Sequence, residues 1–339
     1  NAEYMGIRVK MKNTIWFLLC LFFFSLSPTF AKLCHPNDEK ALLRILKDLG
    51  NPYLLISWKK ETDCCTDWYC VECDPTTHRI TSLTVFAGNI SGQIPPAVGD
   101  LPYLKTLEFH KLSNVTGPIQ PTISKLQSLR FLTLNWLNLT GPVPSFLGKM
   151  KTLIFIDLSF NKLSGSIPPE LGSLPNLIGL HLDRNMLSGS IPSSLGLFSG
   201  SPSPDIYLSH NKLTGVIPAS FGNLNNTIID LSRNSLVGNA FMLFGANKTV
   251  QIINLSRNMF TFDFSKVVVP SSLTSLNINH NNIFGNLPPQ LTNLRLQFLD
   301  VSFNKLCGKI PEGGDLQTID VAFYLHNKCL CGSPLPPCK

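Results

Sequence analysis

Two carboxylates, Asp157 and Asp183, recur in closely matched apolar surroundings, Ile156-Asp157-Leu158-Ser159 and His181-Leu182-Asp183-Arg184. Paired acids suggest acid/base catalysis first, because one protonated and one ionised carboxyl can share a proton transfer. Aromatic residues Phe131, Trp136, Phe155 and Phe160 surround them in the sequence, and His181 lies two residues before the second acid. Further on, Arg184, His210, Arg233, Arg257 and His280 recur at steps of 23 to 26 residues, which suits an anionic partner rather than a reaction. Nine of the ten cysteines fall in two groups: Cys34, Cys64, Cys65, Cys70 and Cys73 near one end, Cys307, Cys329, Cys331 and Cys338 near the other. No spacing matches paired Cys-x2-Cys and His ligands, so disulfides are expected and no metal or cofactor site.

The element that positions these residues is a repeat. Leu153-Ile-Phe-Ile156-Asp-Leu158-Ser-Phe-Asn161-Lys-Leu163-Ser-Gly165-Ser-Ile167-Pro168 is its clearest copy. The Gly place falls at 92, 117, 141, 165, 189, 215, 238, then Phe262 instead, then 285 and 308, nine steps averaging 24 residues. That period and pattern are those of a leucine-rich repeat. The expected fold is an α/β solenoid, a right-handed superhelix of ten repeats with a concave parallel sheet and disulfide caps. Leu-x-Leu makes a short strand whose alternate side chains face the core and the concave surface. Asn161, Asn185, Asn211, Asn234, Asn258, Asn281 and Asn304 are expected to be buried and bonded to backbone. Gly88, Leu112 and Leu137 replace that Asn in the first three repeats, which puts their rungs in doubt.

On this register three outward columns follow. The middle one runs through Asp157, His181, Tyr207, Asp230, Asn254, Asn277 and Asp300, and the next through Ser159, Asp183, Ser209, Ser232, Ser256, Asn279 and Ser302. The third holds Trp136, Phe160, Arg184, His210, Arg233, Arg257, His280 and Phe303. Neighbouring strands sit about 4.8 Å apart on an open face, so the two acids lack the enclosed pocket that catalysis requires, and no enzymatic activity is expected. Exposed rings gain nothing from water and read as interface anchors.

Charged residues make up only 14% of the chain and the net charge is +7 without a Lys/Arg block, which argues against nucleic acid. Residues 1–31 read as a signal peptide region, with Met11 the expected true start and cleavage after Ala31. Residues 32–79 form an N-terminal cap with a helix over 37–49, residues 80–306 the repeats, and 307–339 the last repeat end and C-terminal cap. No later segment reads as a transmembrane helix. Sequons at Asn89, Asn114, Asn138, Asn225, Asn247 and Asn254 fit a secreted glycoprotein.

The Ser/Thr-Gly-x-Ile-Pro extension of each repeat, Cys64-Cys65, Trp68-Tyr-Cys70-Val-Glu-Cys73 and Cys329-Leu-Cys331-Gly-Ser-Pro-Leu-Pro-Pro-Cys338 resemble the plant polygalacturonase-inhibiting proteins over residues 32–339. Cys70 departs from the family, which has Gly there. With the short loops between the cysteines, the resemblance implies pairs Cys34–Cys64, Cys65–Cys73, Cys307–Cys329 and Cys331–Cys338, leaving Cys70 free. It also implies a secreted inhibitor of the plant cell wall and apoplast, with peripheral association with the membrane as an added expectation. Such inhibitors bind fungal polygalacturonases through the concave face, with acids matching Asp157 and Asp183 and a Gln matching Gln251. Pectin or oligogalacturonides are the expected partners of the Arg/His column. An ice-binding relative and a ligand-sensing extracellular repeat protein are the alternatives. Both acids are expected to point outward, so that replacing either leaves stability unchanged.

Overall fold

The computed structural model describes residues 32–339, so the leader assigned to 1–31 lies outside the described residues. An eleven-stranded sheet lines the concave face. Its first strand, Val71–Cys73, is antiparallel and comes from the cap; the ten that follow are parallel, one per repeat, from Ile80–Phe86 to Phe298–Asp300. Each repeat then turns, adds a short segment to a further sheet, the second sheet for the first eight repeats, and returns through a single 3-10 turn, as with Pro169–Ser173. The inward side chains of every strand, such as Leu132, Ile156, Leu180 and Ile206, are fully buried and form one continuous core. Among the described residues no helix is long and apolar enough to cross a membrane.

The asparagine rungs explain how the chain can leave the strand without abandoning buried polar groups. In Asn258 the amide donates to the carbonyls of Leu231 (3.0 Å), Leu255 (3.1 Å) and Ser256 (3.3 Å), and its oxygen accepts from the Leu236 N–H at 3.0 Å. The other six asparagines repeat this arrangement, and Asn327 adds a further rung to Val301, Tyr324 and Leu306 that the repeat count had missed. Where Leu112 and Leu137 stand instead, both side chains join the core. The Val115 N–H that an amide oxygen would have met bonds the Leu112 carbonyl at 2.9 Å, so the rung is replaced by a local turn rather than lost.

The second sheet was not anticipated, although the Ser-Gly-x-Ile-Pro extension builds it. Eight strands run from Ser91–Gln93 to Met259–Phe260, and a separate three-stranded sheet completes the series. The break coincides with Phe262. Glycines such as Gly165 take a left-handed φ of 79° at this place, whereas Phe262 is buried between Phe241 and Phe264 in edge-to-face contacts. Filling the Gly place with a core aromatic therefore ends one sheet and starts another.

The caps follow the cysteines. Helix α1, Pro36–Asp48, begins one residue earlier than expected: the His35 ring accepts from the Asn37 N–H, and Pro36 occupies the first helical position. Its buried Asp38 receives two bonds from Arg79 (2.8 and 2.9 Å) and one from the Ile80 N–H at 3.0 Å, which fastens the helix to the first parallel strand. Disulfides Cys34–Cys64, Cys65–Cys73, Cys307–Cys329 and Cys331–Cys338 close the two ends. Cys70 is free, half-buried and left-handed at φ 73°, and burial pushes its thiol up to about 11.

Candidate functional site on the concave face

The middle outward column serves two purposes. In five of the ten repeats its Asp or Asn turns back on its own strand end: Asp157, Asp230, Asn254, Asn277 and Asp300 each accept the N–H two residues on, at 2.9 to 3.2 Å. Such side-chain turns satisfy an N–H exposed where the strand stops. Asp157 goes further. It accepts from the Ser159 hydroxyl at 2.6 Å and from the Asn135 amide, whose oxygen meets His110, and it is only 9% exposed. The expectation that Asp157 projects freely outward is thus corrected: the carboxylate is committed to a buried polar network.

Repeat five reverses the order. Here His181 occupies the turn-making place and Asp183 the place that serine holds in its neighbours. No described residue donates a side-chain hydrogen bond to Asp183, and burial together with Asp157 pushes its carboxyl up to about 6. A half-buried carboxyl whose hydrogen bond comes from its own backbone N–H, with none from another described residue, is one that a cationic partner would stabilise on contact. Of the two acids, Asp183 is the one available to bind.

The aromatic cluster separates into two stacks on opposite strand ends. On one side Phe155 lies 5.0 Å from His181, which lies 4.2 Å from Tyr207. Gly179 makes room for this, since a Cβ there would sit 2.6 Å from the Phe155 ring. Burial holds the His181 ring below the usual histidine range, against the opposing pull of Asp157 and Asp205. Phe131 pairs in register with Phe155 and is exposed. On the other side Trp136 stacks on Phe160 at 3.6 Å, and the Arg184 guanidinium covers Phe160 at 4.8 Å. Tyr207 was missed as a site residue although its place in the same column as His181 was visible. Gln251 is exposed at a strand start three strands beyond Asp183 and at the opposite strand end, on the order of 20 Å away, and does not join this cluster.

The third column is left-handed throughout, φ 51° to 54° from Ala87 to Phe303, and His326 continues it at 58°. Its N–H groups still pair across repeats, as Arg184 does with the Ser209 carbonyl at 2.8 Å. Arg184, Arg233 and Arg257 are exposed. His210 and His280 are not equivalent to them: burial, then the flanking arginines, hold both rings below the usual histidine range. The ladder's permanent charges are therefore its three arginines. His280, Phe303 and His326 stack at 4.1 Å steps and extend the planar column toward the C-terminal cap.

The sequons fall in three settings. Asn114 and Asn138 begin adjacent segments of the second sheet, Asn89 lies two residues before the preceding segment, and the Asn114 amide reaches Asn89. Asn225 and Asn247 are exposed near the 3-10 turns, whereas Asn254 lies within a concave strand with its oxygen bonded to Ser256.

Comparison with known proteins agrees with this architecture. A family model described as "Leucine rich repeat N-terminal domain" matches residues 35–74, and "Leucine Rich Repeat" matches 152–174, 176–198, 205–224, 272–294 and 295–314. The chain is 67% identical to Polygalacturonase inhibitor 1 of Arabidopsis thaliana over 324 residues, covering 95% of this chain and 98% of that protein. It is 63% identical to the Polygalacturonase inhibitor of Pyrus communis, covering 98% and 100%. Among solved structures, a plant ice-binding protein superposes with a TM-score of 0.89 at 50% identity, covering 91% of this chain and 99% of that one. With such identity carried along almost the whole length of both chains, cap to cap, this chain belongs to the plant polygalacturonase inhibitors of the leucine-rich repeat class.

Proposed function

We propose that the chain is an extracellular cell-wall protein that inhibits fungal polygalacturonases by docking its concave face over their substrate cleft, and so limits pectin breakdown. The observation that carries this reading is Asp183, a half-buried carboxyl that takes no hydrogen bond from another described residue, flanked by Phe155, His181 and Tyr207 on one side and by Trp136, Phe160 and Arg184 on the other. A cleft shaped for an anionic polymer is basic, and a carboxylate entering it takes the place of substrate charge. Rings beside it supply apolar contact area and exclude water. Phe131 extends that surface, and Gln251 contributes only at a distant edge of the footprint. Asp157 supports the site by holding Asn135 and the strand end, not by direct contact. The test is reducing-sugar release by a panel of secreted fungal polygalacturonases with and without the purified protein. Dose-dependent inhibition of at least one enzyme is expected; no inhibition across the panel, with ice recrystallisation arrested instead, would move the protein to the alternative its solved neighbour represents.

Retention in the wall is the second part of the reading. Arg184, Arg233 and Arg257, with His210 and His280 between and beyond them, form a column in which guanidinium groups can take pectin carboxylates by paired hydrogen bonds. Association with the membrane periphery would use the same cationic column. Exposed charges are screened over about 8 Å at physiological salt, so retention on de-esterified polygalacturonate should fall steeply as salt rises. The triple variant Arg184→Gln, Arg233→Gln, Arg257→Gln should elute near the void at low salt. Unchanged elution would remove the ladder from the account.

A further inference from the structure

An open cavity of about 540 Å³ lies at the strand starts of repeats three to six, at the opposite strand ends from the arginine column. Its wall is built from successive repeats: Ser128 and Arg130, then Thr152 and Ile154, then Asn176 and Ile178, closed by the loop at Gly200-Ser201-Pro202. That loop exists because the step from Gly189 to Gly215 is 26 residues where the repeat averages 24, and the extra chain folds over the strand starts.

Arg130 is the only charged residue in the lining and is exposed; its backbone joins the strand starts, but its guanidinium makes no hydrogen bond or ion pair with any described residue. The nearest rim carboxylate in sequence beyond the loop, Asp205, is turned away and accepts from the Thr227 and Ile228 N–H groups at 2.9 and 2.8 Å. An unpaired guanidinium facing no acid calls for an anion, and its planar fork fits a carboxylate. The neutral groups are those that read hydroxyls. Ser128 and Ser201 have no hydrogen bond to a described residue, and the Asn176 amide nitrogen is held by the Lys151 carbonyl at 3.2 Å, which leaves its oxygen as an acceptor. Between them Ile178, 51% exposed, and Ile154 present aliphatic surface against which the C–H face of a sugar ring can lie.

We propose that this cavity is a discrete site for a short uronate oligosaccharide, held by Arg130 through a carboxylate and by Ser128, Asn176 and Ser201 through ring hydroxyls. The choice of galacturonate among such sugars rests on the reading of the chain as a polygalacturonase inhibitor, since those are the products its target releases. The volume falls within the range of small-ligand sites, and the 200–202 loop closes one end, so a short oligomer or a chain end fits better than a passing polymer.

Titration of trigalacturonate into the full-length protein, followed calorimetrically, tests this. Saturable binding is expected, weakened at least about tenfold in Arg130→Gln and unchanged in the triple arginine-column variant, while retention on the long polymer shows the reverse pattern. The trisaccharide with its carboxylates reduced to alcohols should not compete. Equal binding of trigalacturonate by Arg130→Gln and wild type, or loss of binding in the column variant alone, would overturn the assignment to the cavity. A wild-type protein that inhibits polygalacturonase yet binds no trigalacturonate refutes the cavity site alone. A protein that does neither refutes the functional reading on which the choice of sugar depends.

Discussion

Asp183→Lys should lower inhibitory potency by at least about a hundredfold while moving the unfolding midpoint little, because the substitution sets an ammonium against a basic cleft at a place where the side chain accepts only from its own backbone N–H and ties no other described residue. Asp157→Lys should also abolish inhibition, for a different reason. It removes the acceptor used by the Ser159 N–H, the Ser159 hydroxyl and Asn135 and buries a cation, so it should destabilise the fold by roughly 3 kcal/mol or more. Asp157→Asn keeps an acceptor for Ser159 and should retain most inhibition. Titration in both denaturant and enzyme separates the two acids. An Asp183→Lys protein that inhibits as well as wild type would remove this carboxylate from the interface.

The same group predicts a pH dependence. Burial and Asp157 raise the folded Asp183 pKa to about 6, above its ordinary 3.8, so the folded protein binds that proton more tightly than the unfolded chain does. Its contribution to stability is present below about pH 4 and fades as pH rises toward about 6. Docking against a basic surface favours the ionised form, so affinity should climb with pH up to about 6, with proton release on binding below that point. Asp183→Asn should flatten the binding profile and relieve the stability loss.

The second large effect concerns the scaffold. Asn258→Ala should cost on the order of 2–4 kcal/mol, since it strands three carbonyls and the Leu236 N–H in the interior at once. Urea unfolding of this variant measures the cost. Inhibition by the surviving folded fraction should be near normal, because Asn258 is a repeat-eight residue away from the Asp183 cluster. A loss below about 0.5 kcal/mol would mean that the amide rungs are passengers on leucine packing.

The difference between these two asparagine and aspartate columns shows what could be read from residues alone. A period of 24 residues with Leu-x-Leu fixes which side chains enter the core, because strand alternation leaves each residue only two faces. The period accordingly assigns Asn161 to Asn304 to the interior, and all of them are buried or half-buried. What alternation cannot tell is whether an outward side chain then folds back on its own backbone. Asp157 does, through Ser159; Asp183 does not, because His181 and Asp183 reverse the Asp-x-Ser order. That reversal was present in the sequence and is legible only once the Asp-to-N–H turn is known. The histidines of the arginine column carry a similar lesson. His210 and His280 share the column with arginines, yet burial, and then neighbouring guanidinium charge, lowers the pKa of both rings and so disfavours their charged form. The second sheet and the Phe262 break belonged to the repeat extension, whose Gly-x-Ile-Pro pattern shows no strand alternation.

Hydroxyl-radical footprinting of the inhibitor with and without a bound fungal polygalacturonase tests the central claim most directly, because the proposed contact surface is rich in oxidisable rings. Trp136, Phe131, Phe155, His181 and Tyr207 should lose reactivity in the complex, while Tyr53 on the cap, 85% exposed, and Phe241 on the far side of the solenoid should not. Unchanged reactivity at the concave rings, with protection at Phe241 and its neighbours, would contradict docking through the concave face.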